Sequence, residues 1–244
     1  MIASLFNTAV YTPLYNALIG LLDIIPGADV GIAVILLTIA VKLVLYPFAR
    51  AAIKTQLTFK RIKPELDALK EKHSEDPQEH MKAMMSLQKE HGVNPLSSIV
   101  TIFVQLPIIL GLYWVFFYGG LPEVNLDLLY SFIPVPDVVN MQFLGIVDMG
   151  GRSIILAFLA GFTQFIHARI AIEPPDTKKA PGESFQEDLM RSLHIQMRYM
   201  LPVLIAVFAY FISSAVALYW VTSNIFTIAQ ELHLRRKFAD QNKK

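Results

Sequence analysis

Three long apolar runs constrain this chain more than any other feature, because each is about as long as a hydrocarbon core is thick. They are Gly31 to Phe48, with Lys42 as the one charge before its end, Leu96 to Tyr118, and about Ser153 to Ile172. Helices of this length cross roughly 30 Å of hydrocarbon. Across all 244 residues, 54% are hydrophobic and 17% charged, where a soluble domain carries about a quarter of its residues charged. An ordinary soluble enzyme is thereby excluded. A transmembrane barrel is excluded too, since its strands read as short alternating segments. The fold class is an all-α polytopic membrane protein. The chain has no cysteine, which removes disulfides, thiol catalysis, Cys-ligated metals and lipidation of an N-terminal Cys.

The stretch from Tyr199 to Ala229 is ambiguous, since its 31 residues make a helix of about 46 Å. That is too long for one ordinary span and short for two, with Ser213-Ser214 as the break. Charge decides between them. Nine basic residues fall in 49–93, five between Arg169 and Arg198, and five after residue 231 (Arg235, Arg236, Lys237, Lys243, Lys244). Residues 1–30 hold none and 119–152 only Arg152. Basic loops stay in the cytoplasm, and two short spans place all three basic segments on one side. The expected order is an N-terminal amphipathic helix in 1–30 lying in the outer interface, spans at 31–48, 94–118, 153–172, 199–213 and 214–231, a cytoplasmic helical hairpin at 49–93, an extracytoplasmic loop at 119–152, a cytoplasmic loop at 173–198 and a basic cytoplasmic tail at 232–244. That is five transmembrane helices, N-terminus out and C-terminus in. Residues 2–22 are read as interfacial because Pro13 interrupts them and Asn7, Thr8, Thr12 and Asn16 break their apolarity. An uncleaved signal anchor is the alternative, although no basic n-region precedes the segment.

In the hairpin, Ile53, Leu57, Ile62, Leu66 and Leu69 form a sparse stripe on the first arm, which contains Pro64. Met81, Met84, Met85 and Leu87 lie on the second, after a turn at Ser74-Glu75-Asp76-Pro77. Packing between the arms is the simplest use of these methionines, and an adaptable docking edge is the other.

Lys42 is the most informative single residue. A cation inside a span costs a few kcal/mol or more unless it meets water or a partner. It lies eight residues before Arg50, about 12 Å along a helix, and a lysine stem reaches only about 6 Å towards the headgroups. Snorkelling therefore does not cover the distance, and a wet cavity open to the cytoplasm accounts for the charge. Thr38 stands one turn earlier on the same face. Gln105, Gln164, Thr222, Ser223 and Asn224 are polar candidates from other spans, although Gln105 also serves to cover backbone groups freed by Pro107. No carboxylate falls within the apolar runs, which argues against ion-coupled transport. No phosphate-cradling loop occurs, and the six histidines have no metal spacing. Catalytic residues, metals and cofactors are expected to be absent. Two short final spans of about 15 residues would reach only about 23 Å each, so a locally thinned bilayer is expected beside the cavity.

Three segments carry a resemblance: AVKLVLYPFARAAIKTQ at 40–56, VNPLSSIVTIFVQLPIILGLYWVF at 93–116 and ALYWVTSNIFTIAQE at 217–231. In this order, with a charged hairpin between the first two, the chain resembles the YidC/Oxa/Alb family of membrane protein insertases over about residues 31–235. The resemblance implies five helices around a hydrophilic groove, open to cytoplasm and lipid and closed outside. The family places an arginine in the first core span, and Lys42 matches that position; the charge is kept and the forked donor lost. Thr38 matches a groove-lining position, Gln105 and Pro107 the family's Gln-x-Pro, and Tyr219 and Trp220 the aromatic pair that contacts substrate helices. The hairpin, with Met81, Met84 and Met85, is implied to receive substrate or targeting partners, and Arg235, Arg236 and Lys237 to touch the ribosome. Implied partners are nascent membrane proteins, the ribosome or a targeting factor, the Sec translocon and membrane lipids, with no nucleic acid beyond the ribosome. The implied location is the bacterial plasma (inner) membrane, and the implied activity is insertion without nucleotide hydrolysis or cofactor. A membrane chaperone that holds helices without translocating anything is the rival, and a solute channel a third reading. The large extracytoplasmic domain of Gram-negative members does not precede the core here, nor does the lipid-modified Cys of many Gram-positive ones, so the sequence reads as a minimal or trimmed core.

Overall fold

The apolar runs fold as helices because hydrocarbon offers backbone groups no partner, and a helix pairs them internally. The structure, a computed structural model, describes residues 2–72, 76–92, 96–172, 189 and 192–241. Within these, side chains are not described at 2–3, 70–71, 77, 80, 96–105 and 239–241. Ser74 and Glu75 of the expected hairpin turn, most of the 173–198 loop, and the tail residues Lys243 and Lys244 lie outside the described residues.

The helices are α1 (Ile2–Phe6), α2 (Thr12–Ile24), α3 (Val30–Val44), α4 (Tyr46–Lys72), α5 (Pro77–Glu90), α6 (Leu96–Tyr118), α7 (Ile154–Ala171), α8 (Leu201–Phe211) and α9 (Ser214–Gln241). An antiparallel ribbon, β1 (Gln142–Phe143) and β2 (Val147–Asp148), pairs Gln142 with Asp148 and Phe143 with Val147. The chain divides into one unit of residues 1–43 and 107–230 and a second of 44–106 and 231–244.

In the first unit, Pro13 does not interrupt the N-terminal segment as expected. A π turn at Asn7–Tyr11 carries the helix from α1 into α2, with Thr12 N donating to Asn7 O. Proline lacks an N–H and its ring crowds the carbonyl four residues back, and widening the preceding turn absorbs both effects. The same device recurs at Gln196–Met200, two residues before Pro202. The α2 face formed by Tyr15, Leu18, Ile19 and Leu22 is buried in the main core, with Val30, Ala33, Val34 and Leu37 of α3, Leu112 and Val115 of α6, Ala157 and Ala160 of α7 and Leu218 of α9. Asn16, read as a break in apolarity, is buried and ties α2 to the 119–152 loop: it donates to Leu128 O at 2.7 Å and accepts from Tyr130 N at 2.6 Å.

Asp29 caps α3. Its carboxylate accepts from Gly31 N (2.8 Å), Ile32 N (3.1 Å) and Leu144 N (2.8 Å), the last in the turn of the ribbon. Gly31 is required here, because a Cβ would collide with the Phe143 ring. α7 and α8 pack through small residues, with Gly161 against Ala206 and the Pro202 carbonyl, as membrane helices do when backbones approach closely.

The break between α8 and α9 falls at Ile212-Ser213, where Ile212 is extended, so the division expected near Ser213-Ser214 appears. The 119–152 loop caps it: Ser214 N and Oγ donate to Gly151 O (2.8 and 3.0 Å) and Ala215 N to Met149 O (3.1 Å). Helix lengths differ from expectation. The helix ending at Phe211 begins at Ser192 and has 20 residues, and α9 runs 28 residues through the expected tail. The first is long enough for about 30 Å at 1.5 Å per residue, while the second carries Glu231, Arg235, Arg236 and Lys237 in its last part. By length and composition, Ile154–Ala171 and Ser192–Phe211 suffice to cross a membrane among the described residues, and the bent pair beginning at Val30 would make a third.

The first apolar run ends earlier than expected. α3 stops at Val44 and α4 begins at Tyr46, because Pro47 is accommodated in a first turn and not in a helix interior.

In the second unit, α4 and α5 form the hairpin. Asp76 caps α5 by accepting from Gln78 N and Glu79 N at 2.9 and 3.1 Å. Ile62 and Leu66 pack with Met84 and Leu87, and Glu65 lies 3.5 Å from His91.

Candidate functional site

Lys42 lies in the last turn of α3, three residues from the Leu45 break. A cation there gains from the negative end of the helix dipole. Its shorter distance to the end of the helix removes the geometric objection to snorkelling, but the side chain takes another course. The half-buried ammonium turns to α9 and donates to Thr227 Oγ1 at 3.1 Å. Thr227 in turn donates to Ser223 O at 2.8 Å. Charge is thus relayed into a hydroxyl whose own proton is already committed.

Around this contact, polar side chains from other helices of the unit line up. Asn224 Nδ2 donates to Thr163 Oγ1 of α7 at 3.2 Å, and Thr163 donates back to Leu159 O at 2.8 Å. Thr222 bonds Leu218 O at 2.8 Å. Ser223, Asn224 and Gln230 are buried, and Gln230 Nε2 has no hydrogen-bond partner among the described residues. Ser223, Thr227 and Gln230 recur at helical spacing on one side of α9. The result is a polar strip with one cation among apolar helices, and the cation is what suits it to acceptor groups such as carboxylates.

The expected site residues fare differently. Thr38 shares the Lys42 face, but it is 1% exposed and its hydroxyl donates to Val34 O at 2.6 Å, so it supports the helix more than it lines open space. Tyr219 is 1% exposed, inside the main core, while Trp220 is half-buried at its edge. An aromatic pair offered jointly to an incoming helix is therefore not what the geometry presents, because successive residues on a helix point about 100° apart. The Gln105 side chain lies outside the described residues. Met84 packs against the Ile62–Leu66 cluster between the arms, whereas Met81 and Met85 are 49% and 60% exposed. In the tail, Arg235 is held by the buried Glu231 carboxylate at 2.7 Å, and Arg236 and Lys237 are exposed. Among the described residues no group of three or more His, Cys, Asp or Glu side chains comes together to hold a metal.

Reasoning from the sequence missed Thr227 and Thr163. The signal was present in the Ser223, Thr227, Gln230 spacing, one turn apart on the helix that also carries Asn224.

The hairpin division is testable. Met84→Asp is expected to cost about 2 kcal/mol or more by burying a charge between the arms, and to accelerate hydrogen exchange across 77–90. Met85→Asp is expected to leave exchange at the wild-type rate.

Long apolar helices, close small-residue packing and a polar strip among them define the class: a polytopic α-helical integral membrane protein. Within that class the family is specific. The profile of the 60Kd inner membrane protein family matches residues 21–242, and the chain belongs to this family. A protein named membrane protein insertase YidC, from Methylobacillus flagellatus, is 29% identical over 229 residues, 94% of this chain and 36% of that protein. Proteins of the same name from Ectopseudomonas mendocina (29% over 219 residues, 89% and 33%) and Pseudomonas syringae pv. tomato (30% over 214 residues, 88% and 33%) are similar to it as well. The chain spans about a third of the length of these relatives, which are named as insertases and not as enzymes.

Proposed function

We infer that this chain is the membrane core of an insertase that moves nascent membrane proteins from the cytoplasm into the bilayer without nucleotide hydrolysis or a cofactor. The observation that carries the reading is the Lys42 to Thr227 contact, a cation turned inward to a polar strip where apolar packing would be the default. The arrangement adopted is five spans in the inner membrane, N-terminus out and C-terminus in, as basic-residue placement requires. A substrate docks on the hairpin, where Met81 and Met85 offer adaptable apolar contact. The ribosome or a targeting factor approaches the same side, with Arg236 and Lys237 as the exposed tail cations; Arg235, paired with Glu231, contributes less. The Sec translocon is a further candidate partner. The short polar flank of the substrate enters beside Lys42, and its hydrophobic segment slides past the Trp220 edge into lipid. Burial of that segment at about 25 cal/mol per Å² supplies the drive, so the protein only lowers a barrier.

The test uses purified protein in liposomes and a single-spanning substrate with an acidic translocated tail. Protease protection of the tail well above that in protein-free liposomes is the result expected. Membrane association of the substrate without protection would favour the chaperone reading, and neither would overturn both.

A further inference from the structure

Arg198 is a permanent cation, yet it is only 7% exposed. It sits in the π turn Gln196–Met200 that Pro202 imposes. Nη1 donates to Ile172 O at 2.6 Å, which sets the guanidinium against the negative end of α7. Among the described residues the buried Nε has no acceptor and no carboxylate pairs with this group. A desolvated cation with an idle donor is costly until an anion meets it. The surroundings are built for one. The guanidinium lies 5.9 Å from the Tyr199 ring, Tyr199 lies 6.5 Å from Phe165, and the exposed Arg169 guanidinium lies 5.2 Å over Phe165. Two forked donors thus flank one aromatic pair.

We propose that Arg198 holds the phosphate of an anionic lipid headgroup, with Arg169 adding a second positive charge at the adjoining helix end. Arg169 is in the last turn of α7 and Arg198 near the start of the helix Ser192–Phe211. These successive helices are each long and apolar enough to cross the bilayer, so their adjoining ends lie at headgroup depth, where basic pockets between helices bind such lipids. Guanidinium forks match phosphate oxygens two at a time. Met197 and Met200 are exposed on the same turn and supply apolar contact for acyl chains, which favours a lipid over free phosphate. The site depends on membrane embedding and not on insertase activity, so binding is measured apart from insertion.

The experiment is native mass spectrometry of the full chain in neutral detergent, titrated with phosphatidylglycerol, with diacylglycerol of the same chains, and with inorganic phosphate. Wild type should retain phosphatidylglycerol about tenfold more tightly than Arg198→Gln, for a lost charge-assisted contact, and about threefold more tightly than Arg169→Gln, for a lost nearby charge. Diacylglycerol should not separate the three proteins. Arg169 is exposed, so its variant keeps the test valid if Arg198→Gln fails to fold. Equal retention of phosphatidylglycerol by wild type and Arg169→Gln, and by Arg198→Gln where it folds, would overturn the site. Displacement of the lipid by millimolar inorganic phosphate would overturn the lipid assignment.

Discussion

Lys42→Ala is expected to abolish protection of an acidic translocated tail in liposomes, while Lys42→Arg retains it and a neutral tail passes equally well with all three proteins. The reason is local. The ammonium is half-buried among apolar helices and hydrogen-bonded to Thr227, so water screens it less than a surface lysine. A substrate carboxylate meeting it gains a charge-assisted contact of about 1.5–3 kcal/mol, or roughly ten- to a hundredfold in rate. Lys42→Ala should not unfold the protein, since Thr227 keeps its bond to Ser223 O and removing a half-buried cation relieves a desolvation cost. Lys42→Met keeps the stem without the charge and is the control for volume: it should fail as Ala does. If Ala and Met both protect the acidic tail at the wild-type rate, Lys42 is a structural cation only.

The second large effect is on stability. Asp29→Ala is expected to cost about 3 kcal/mol, the sum of a lost helix cap and an orphaned buried N–H. Asp29 is buried and accepts from Gly31, Ile32 and Leu144 at once. Main-chain bonds reinforce the same joint, Val30 N to Asn140 O and Asn140 N to Ala28 O, both at 3.0 Å. The joint fixes the start of the helix whose other end carries Lys42, so the variant should also lose insertion at temperatures where wild type works. Asp29→Asn keeps an oxygen for the cap and turns an amide donor towards Leu144 N, so it should recover only part of the loss. Denaturant unfolding in mild detergent reads both; a loss below about 0.5 kcal/mol for Asp29→Ala would show that water replaces the carboxylate, as it does at exposed caps.

What was legible in the sequence follows from where hydrocarbon acts alone. The helix class, the hairpin and the break near Ser213 follow from apolar length, charge and two consecutive serines. Element ends were less legible, because prolines decide them by context. Pro47 closes one helix and opens the next, whereas Pro13 and Pro202 are absorbed by π turns. Tyr219 looked like half of an exposed pair because sequence carries no record of which neighbours cover α9. Thr227 was overlooked because a threonine in an apolar run reads as neutral until a lysine from another helix is brought 3.1 Å away. Asn16, read as a break in apolarity, and Asp29, not singled out in the sequence, turn out to be the tethers of a loop more than a hundred residues distant.

The most direct measurement of the central claim places a photo-crosslinking side chain at position 227, and separately at the exposed Ile225 on the same helix, during insertion of a substrate with an acidic tail. Capture of the tail from position 227, lost in the Lys42→Ala background, is predicted. Capture from position 225 alone, unchanged by Lys42→Ala, would place the tail outside the polar strip and contradict the claim.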